Sequence, residues 1–212
     1  NNSLKIRTLL ENEFRNNLQF ETKPGEVEEM GVNTLIHTFY DNWVNGDKGA
    51  IITFSNAVAY SYNLRIREKL GFSHSLLSEG DYLMVVHNNY YDDYVFYNGD
   101  NVEVDYVYPD TETFNIRLKK KVNDTVSEVH VSLEFKEVII ISEQGEKMTR
   151  KVLTNLLNSN KASLTPDEHR ALYVHVCMRY PGIHDKSEIT NILKTDPYFN
   201  ALRVKYGYAI TC

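Results

Sequence analysis

Residues 50–56, Ala-Ile-Ile-Thr-Phe-Ser-Asn, decide how the fold is interpreted, because they join a short apolar run to residues that can start a helix. A nearly continuous apolar run of this length is typical of a strand buried on both faces. Ser55 or Asn56 can cap a helix. Apolar residues then recur at helical spacing up to Gly71. Strand, cap and amphipathic helix together predict half of a β-α-β unit.

The 48 residues at the start of the chain are expected to be helical, with one break at Lys23-Pro24-Gly25. The clearest helix is predicted for residues 33–45, where Ile36, Phe39 and Trp43 share one face and Gly46 ends the helix. Trp43 is most simply a core anchor.

Residues 80–142 change to the periodicity of strands. A second buried strand is predicted at 82–86, tight turns at Asn98-Gly99-Asp100 and Pro109-Asp110, and about five short strands in all. This spacing favours a small antiparallel barrel or curled sheet. Six tyrosines crowd the region, and they are either amphipathic barrel residues or platforms for base stacking: Tyr90, Tyr91, Tyr94, Tyr97, Tyr106 and Tyr108.

Residues 146–200 are predicted to return to helix. Thr165-Pro166-Asp167-Glu168 has the residues of a capping box, and Asp185 with Glu188 repeats that arrangement. Residues 202–211 then form a last strand with Val204, Tyr206, Tyr208 and Ile210 on one side. Because a strand that runs into the chain end is unusual, we expect a piece cut from a longer protein.

Composition limits the class of protein but does not name a function. The chain has 212 residues and a net charge of −6, distributed as −6 over residues 1–100, −2 over 101–160 and +2 over 161–212. A polyanion site should therefore be local and lie in the C-terminal half of the chain. No apolar run is long enough for a membrane span, and the start does not resemble a signal peptide. Two cysteines favour a reducing compartment, so a cytoplasmic location is expected.

The densest basic cluster is Arg117, Lys119, Lys120 and Lys121. Such a run is either a solvated hairpin tip or a local polyanion site. Phosphate loops, nucleophile elbows and zinc-binding helices have no matching motif in the sequence. The histidines at 169, 175 and 184 match no metal-ligand spacing, and Cys177 is best interpreted as a buried structural thiol. No catalytic residue and no metal ligand are assigned.

The order of the short motifs resembles one protein family. Residues 55–56 (Ser-Asn) precede 63–67 (Asn-Leu-Arg-Ile-Arg), then come Gly80-Asp81, Asn98-Gly99-Asp100 and finally 206–211 (Tyr-Gly-Tyr-Ala-Ile-Thr). This order is similar to the C-terminal region of RecD-like superfamily 1 DNA helicases, relatives of the exodeoxyribonuclease V alpha subunit. In that family a Tyr-Ala-Ile-Thr strand leads to His-Lys-x-Gln-Gly, and this sequence stops at Cys212, where that motif would begin.

The resemblance implies an α/β chain, α+β overall: a partial RecA-like parallel sheet with an inserted small antiparallel SH3-like β-barrel and a helical segment. Residues 1–48 would lead into the second RecA-like domain, which comprises 49–90 and 201–212. Residues 91–145 would form the barrel, and 146–200 a helical insertion. The strands at 50–54, 82–86 and 204–210 would then lie side by side in one parallel sheet.

The resemblance also implies sites and partners. Asn56, Asn63 and Arg67 would bind nucleotide, and a second set would contact DNA: Thr211, Asn98, Arg117, Lys119, Lys120 and Lys121. The full-length parent would use ATP and Mg²⁺ held by its missing N-terminal RecA-like domain, with no cofactor expected in this fragment. Its partners would be single-stranded DNA, that domain and helicase–nuclease subunits, without a membrane.

Two other classes of function stay open at this stage. One is a stand-alone β-barrel module that binds nucleic acid or protein without catalysis. The other is an enzyme with a site that no known motif describes. The binding module would place the three apolar strands in separate sheets.

Overall fold

The computed structural model describes residues 21–72, 74–122 and 125–211. Within these ranges the chain forms helices and strands in an α+β arrangement, with a two-stranded parallel sheet and a five-stranded barrel. The elements in chain order are α1 (Val32–Val44), β1 (Ile51–Thr53), α2 (Asn56–Lys69), β2 (Tyr82–Val85), β3 (Asn101–Val122), β4 (Thr125–Ser142), β5 (Lys147–Leu153), a short 3₁₀ helix (Thr154–Leu156), α3 (Pro166–Arg179), α4 (Lys186–Thr195), β6 (Leu202–Tyr206) and β7 (Ala209–Thr211).

The parallel sheet joins two parts of the chain that are far apart in sequence. β1 pairs with β7, with Ile51 opposite Ala209 and Thr53 opposite Thr211. This confirms the predicted pairing of the first and last apolar strands. The prediction that this strand is buried on both faces is wrong, however, because Ile52 is 68% exposed and Phe54 is 91% exposed. In the described part of the chain α2 packs on one face of this sheet, so the residues facing the other side stay exposed.

The barrel closes in the strand order β2-β3-β4-β5-β6, with β6 returning to β2. Neighbouring strands are antiparallel except β5 and β6, which run parallel. The barrel is therefore mixed, not purely antiparallel as predicted. It also includes strands on both sides of the predicted 91–145 segment, because β2 and β6 pair with each other and complete the closure.

β2 does not lie in the parallel sheet, which corrects the prediction for residues 82–86. Its start is held by the barrel: Gly80 N donates to Val104 O at 2.7 Å, and Val104 N donates to Asp81 O at 2.8 Å. Those bonds set β2 antiparallel to β3, so β2 cannot join β1. Leu83 and Val85 consequently point into the barrel core.

The predicted last strand is two strands separated by a bend at Gly207 and Tyr208. A Cβ atom on Gly207 would lie 3.0 Å from Tyr82 Cδ1, a tight contact that would require the Tyr82 ring to move. Glycine therefore lets the chain leave the barrel beside Tyr82 and enter the parallel sheet within three residues. The predicted single face through Val204 and Ile210 is consequently wrong.

Two further strand predictions need correction. Pro109-Asp110 does not end a strand, because β3 runs through it with a register shift between Val107 and Thr111. Proline has no N–H for a ladder bond, and a bulge accommodates that. Lys147–Leu153 is β5 and not helix. Gly145, at φ +83°, forms the preceding hairpin turn with Ser142 and is the local signal for it.

The helix ends agree closely with the sequence signals. Ser55 caps α2 by accepting from Val58 N at 3.3 Å. Thr165 and Glu168 form the full capping box of α3, and Asp185 caps α4. Gly46 and Gly71, at φ +90° and +84°, follow the helices that they were predicted to end. The first 20 residues of the predicted helical lead-in lie outside the described residues.

Apolar residues form two cores on opposite sides of the barrel wall. The barrel interior continues into the layer of α1, α2 and β1, where Trp43 packs edge-on to Tyr82 and Tyr208 at 5.1 Å between ring centroids. The second core lies between the long β3–β4 hairpin and α3. His175 of α3 is buried there, with its ring 4.1 Å from that of Phe114.

The burial of His175 predicts an acid-dependent loss of stability. Burial lowers its pKa, and Arg179 lowers it further, against the opposing effects of Asp196 and Glu112. The unfolded chain, with a histidine pKa of about 6.5, then binds the proton first. The stability that neutral His175 contributes to the folded state is complete above about pH 6.5 and is lost as the pH falls through the lower pKa that His175 has in the folded chain. Urea unfolding of His175→Phe should show a shallower loss of stability below about pH 6.5.

Exposed His184 provides the control, since His184→Gln should leave the slope unchanged. Burial also lowers the pKa of His169, so the slope in His175→Phe should be reduced and not abolished. An unchanged slope in His175→Phe would contradict the assignment.

Candidate nucleic-acid interface

The carboxyl ends of β1 and β7 meet at the N-terminus of α2. The Thr53 hydroxyl donates to Ser55 O and to Ile210 O, both at 3.1 Å. The Thr211 hydroxyl donates to Asn56 Oδ1 at 3.5 Å. Two residues that the sequence assigned to different ligands, Asn56 and Thr211, are thus neighbours. Ligands of parallel sheets characteristically bind at this edge, outside the carboxyl ends of the strands.

Exposed apolar side chains flank the same edge. Phe54 directly follows β1, and Ile52 lies opposite Ile210 on the uncovered face of the parallel sheet. An exposed aromatic ring beside the N–H groups of a helix start combines a stacking surface with anion donors. Sequence analysis placed Phe54 in a buried strand and missed this exposure.

A small cavity lies behind Asn56 and Thr211. Its volume is about 20 Å³, which fits one water molecule and not a nucleotide. Tyr60 and Lys205 also line it. Lys205 was not predicted as a site residue. The available signal was the alternation in residues 202–206, Leu-Arg-Val-Lys-Tyr, which places two basic residues on the same face of a strand.

Asn63 is buried and holds β7 against α2. Its Nδ2 donates to Ala209 O, and Ala209 N donates to its Oδ1, both at 2.8 Å. Both ends of the side-chain amide are thereby bonded to the main chain of one residue, Ala209. The contacts of Asn63 do not support the nucleotide-binding role, because its polar atoms bond the protein itself.

Arg67 is also buried, and its partners are internal. Its Nε and Nη2 donate to the two carboxylate oxygens of Asp81 at 2.8 Å each, and Nη2 also donates to Ser75 O at 2.9 Å. The guanidinium lies over the Tyr206 ring at 4.3 Å. Burial disfavours its charge, but Asp81 outweighs this and raises the pKa of Arg67. These contacts likewise do not support nucleotide binding by Arg67.

Tyr208 extends this buried pair to the start of the barrel. Its hydroxyl donates to Asp81 Oδ1 at 3.2 Å and accepts from Tyr82 N at 3.0 Å. Burial, together with the charge of Asp81, raises the pKa of Tyr208 above its ordinary value. The phenol therefore stays protonated and acts as a fixed donor.

The predicted DNA-binding residues of the barrel lie apart from this edge in sequence and in strand order. Arg117 and Lys119 alternate with the buried residues Ile116 and Leu118 and so lie on the outer side of the hairpin. Lys120 lies on the opposite side. The cluster is therefore not one continuous patch.

Carboxylates already accompany two of these cations. Arg117 lies 3.6 Å from Glu128, and Lys120 lies 3.1 Å from Asp167. The side chain of Lys121 is outside the described part of the structure.

Asn98 is exposed in the turn before β3, where its N–H donates to Asn88 Oδ1 at 2.8 Å. Among the predicted stacking residues, Tyr90, Tyr97 and Tyr106 are exposed.

Neither relatives of the chain nor its described residues narrow the class of protein further. No protein-family model matches the chain, and no curated protein is detectably similar to it. Among the described residues there is no group of three or more His, Cys, Asp or Glu side chains placed to hold a metal ion. In the same residues no helix is both long and apolar enough to cross a bilayer. Cys177, predicted to be buried, is half-buried.

Replacing Asn63 should loosen β7 from α2. Asn63→Leu leaves the N–H and C=O of Ala209 buried without partners, so we expect the free energy of unfolding to fall by about 2–4 kcal/mol. Asn42→Leu, at an exposed position of α1, should change it by less than about 0.5 kcal/mol. If the two substitutions lower the free energy of unfolding equally in urea denaturation, Asn63 does not hold β7 against α2.

Removing the guanidinium of Arg67 should be still more damaging. Arg67→Met leaves the Asp81 carboxylate buried without its cation, which typically costs about 3–5 kcal/mol. Arg65→Met removes the same charge from a half-buried position on α2 and should cost about 1 kcal/mol or less. A folded Arg67→Met variant with wild-type stability would contradict a structural role for this pair.

Proposed function

We propose that the chain is part of an ATP-dependent, RecD-like superfamily 1 DNA helicase, in which it contributes part of the second motor domain and one wall of the track for single-stranded DNA. The observation that supports this most is the parallel pairing of β1 with β7. This pairing brings Thr211 to the capped start of α2. Two of the motifs on which the family resemblance rests, Ser55-Asn56 and the end of 206–211, thereby meet at one edge.

That edge has the chemistry of a backbone-binding surface. The first N–H groups of α2, near Asn56, have no helical acceptor and attract phosphate oxygens. Thr211 offers a hydroxyl beside them, and Phe54 offers a ring for stacking. Such contacts bind the strand without reading its bases, as a translocating motor requires.

In this proposal the five-stranded barrel corresponds to the SH3-like insertion of the family, and the β1–β7 sheet to an incomplete RecA-like domain. Exposed Tyr90 and Tyr97 would stack on bases, while Arg117 and Lys119 would meet phosphates. Lys120 would have to exchange Asp167 for DNA, and Asn98 would contribute from the turn beside Tyr97.

The ATP chemistry is assigned to the parent protein. Phosphoryl transfer needs a phosphate-binding loop and Mg²⁺ from the N-terminal RecA-like domain, and an arginine from the opposite domain. Asn56 is the one predicted nucleotide ligand whose side chain lies at the open edge. The proposed partners are single-stranded DNA, that first motor domain and helicase–nuclease subunits, in the cytoplasm.

A non-catalytic binding module is the second candidate. The exposed rings of Tyr90, Tyr97 and Tyr106 on one barrel favour it, because aromatic side chains are enriched in binding surfaces. The two candidates differ in which surface binds DNA. A motor fragment requires the edge with Phe54 and Thr211, whereas a module requires only the barrel.

Binding of a labelled oligothymidylate, followed by fluorescence anisotropy at low salt, tests the proposal. Replacing Lys119, Lys120 and Lys121 with Ala should weaken binding about tenfold and lower the salt slope by about two. Phe54→Ala should weaken binding by about 1–3 kcal/mol through lost stacking. The control replaces Lys186 and Lys194 of α4 with Ala and should change little.

The outcomes separate the two candidates. Loss of binding in both the lysine variant and Phe54→Ala supports the track, while loss in the lysine variant alone supports the barrel module. Absence of any binding at low salt would exclude a DNA track on this fragment.

A further inference from the structure

β6 presents two basic side chains on the outer side of the barrel wall. Leu202, Val204 and Tyr206 alternate with them and belong to the barrel core. Arg203 pairs with Leu153 of β5, whose side chain lies in the second core, beside the 3₁₀ helix and α3. Side chains of paired residues share a face, so Arg203 and Lys205 lie on that outer side. All five residues of β6 are buried.

Arg203 is buried without an acceptor. The residue is 8% exposed, and its Nη1 has no hydrogen-bond partner. Within the described residues no hydrogen bond or ion pair to its guanidinium occurs. Arg67 shows the contrast, since its equally buried guanidinium has both oxygens of Asp81. An unpaired buried charge is costly, and a bound anion would offset that cost.

The surroundings of Arg203 are basic. Val86 N donates to Arg203 O at 2.8 Å, which places the next residue, His87, beside β6. Burial lowers the pKa of His169 of α3, the charges of Arg203 and His87 lower it further, and the charge of Glu168 opposes them, so these groups lie within electrostatic reach of one another. Both histidines are exposed, and the cluster therefore reaches the surface on their side.

Neighbouring acceptors do not neutralise this cluster. Lys205 Nζ donates to the main-chain oxygen of Lys161 at 2.6 Å, which supplies no charge. Glu168 lies next to His169 in the chain, but its carboxylate accepts from the N–H and hydroxyl of Thr165, both at 2.7 Å. Its charge raises the pKa of His169 against the effect of the cations, so Glu168 offsets the positive charge of the cluster only in part.

We propose that Arg203, with His169, His87 and Lys205, forms a binding site for a phosphate group, either a free phosphate or a phosphate of a polynucleotide backbone. The planar guanidinium can bind two phosphate oxygens at once. The histidines close the open side, and Lys205 also lines the cavity of Asn56 and Thr211. The site does not depend on the helicase proposal. If a polynucleotide binds, it would extend from the Arg203 site to the edge with Asn56 and Thr211.

Thermal unfolding in sodium phosphate and in sodium chloride of equal ionic strength tests the site. We expect phosphate to raise the melting temperature of the wild-type chain. Arg203→Met should lose this rise, with affinity for inorganic phosphate about tenfold weaker or more. The same variant should be at least as stable as the wild type in chloride, because it removes an unpaired buried charge. A merely structural arginine would instead lower stability in both salts.

Two further variants complete the experiment. Arg65→Met removes an arginine from α2 and should keep the full phosphate effect. Arg203→Lys retains the charge without the planar fork and should give an intermediate effect, which also covers the case in which Arg203→Met fails to fold. The proposal is overturned if phosphate does not stabilise the wild type, or if Arg203→Met or Arg203→Lys responds like the wild type.

Oligothymidylate binding identifies the source of the phosphate. If Arg203→Met weakens oligonucleotide binding as well as the phosphate effect, the site binds a polynucleotide backbone. If only the phosphate effect is lost, the site binds a small phosphate. A phosphate effect without any oligonucleotide binding would refute the DNA track and leave this site intact, whereas the reverse result would refute the site alone.

Discussion

The rest of the structure depends on the buried ion pair between Arg67 and Asp81. Arg67 belongs to α2, whereas Asp81 immediately precedes β2 of the barrel, so the pair joins the parallel sheet layer to the barrel. Both charges are removed from water, and they are tolerated because each has several partners: Ser75 O for the guanidinium, and Ser78 N and the Tyr208 hydroxyl for the carboxylate. A pair satisfied on all sides can orient two elements as well as hold them together.

Tyr208 carries this constraint to the candidate interface. It lies between β6 and β7, at the point where the chain leaves the barrel, and its hydroxyl bonds both Asp81 and Tyr82 N. One residue later, Ala209 is fixed to Asn63 of α2. Thr211 can therefore reach Asn56 only because the barrel, the ion pair and α2 are already in place. The edge proposed to contact DNA is positioned by residues that cannot touch DNA themselves.

Two of the buried arginines, Arg67 and Arg203, illustrate the difference between stability and binding. Arg67 has a carboxylate and an aromatic ring, and its surroundings are complete. Arg203 has a comparable burial and is surrounded by other basic groups. The sequence does not show the partners of either arginine: Arg67 lies in a polar stretch of helix, and Arg203 lies between Leu202 and Val204. Only the partners that the fold brings to each side chain show that one is structural and the other is available to an anion.

Local signals in the sequence determined the helices and their ends: Ser55 and Thr165 as caps, Gly46 and Gly71 as stops, and the α2 periodicity. These signals act within about four residues, so no distant contact is needed to interpret them. The pairing of β1 with β7 was also predicted, but through the order of motifs and not through any local preference. The placement of Asn56 and Thr211 at one edge follows from that pairing.

Tertiary structure alone decided which sheet each strand joins and which polar side chains are left to bind a ligand. β2 is as apolar as a parallel-sheet strand, and hydrogen bonds from Gly80 and Val104 place it in the barrel. Arg67 was predicted to bind nucleotide, and Asp81 converts it into an internal anchor. The physical reason is the same in both cases. Strand partners and charge partners lie many residues away in sequence, and the free energy of burying a strand or a charge depends on which partners the fold places beside it.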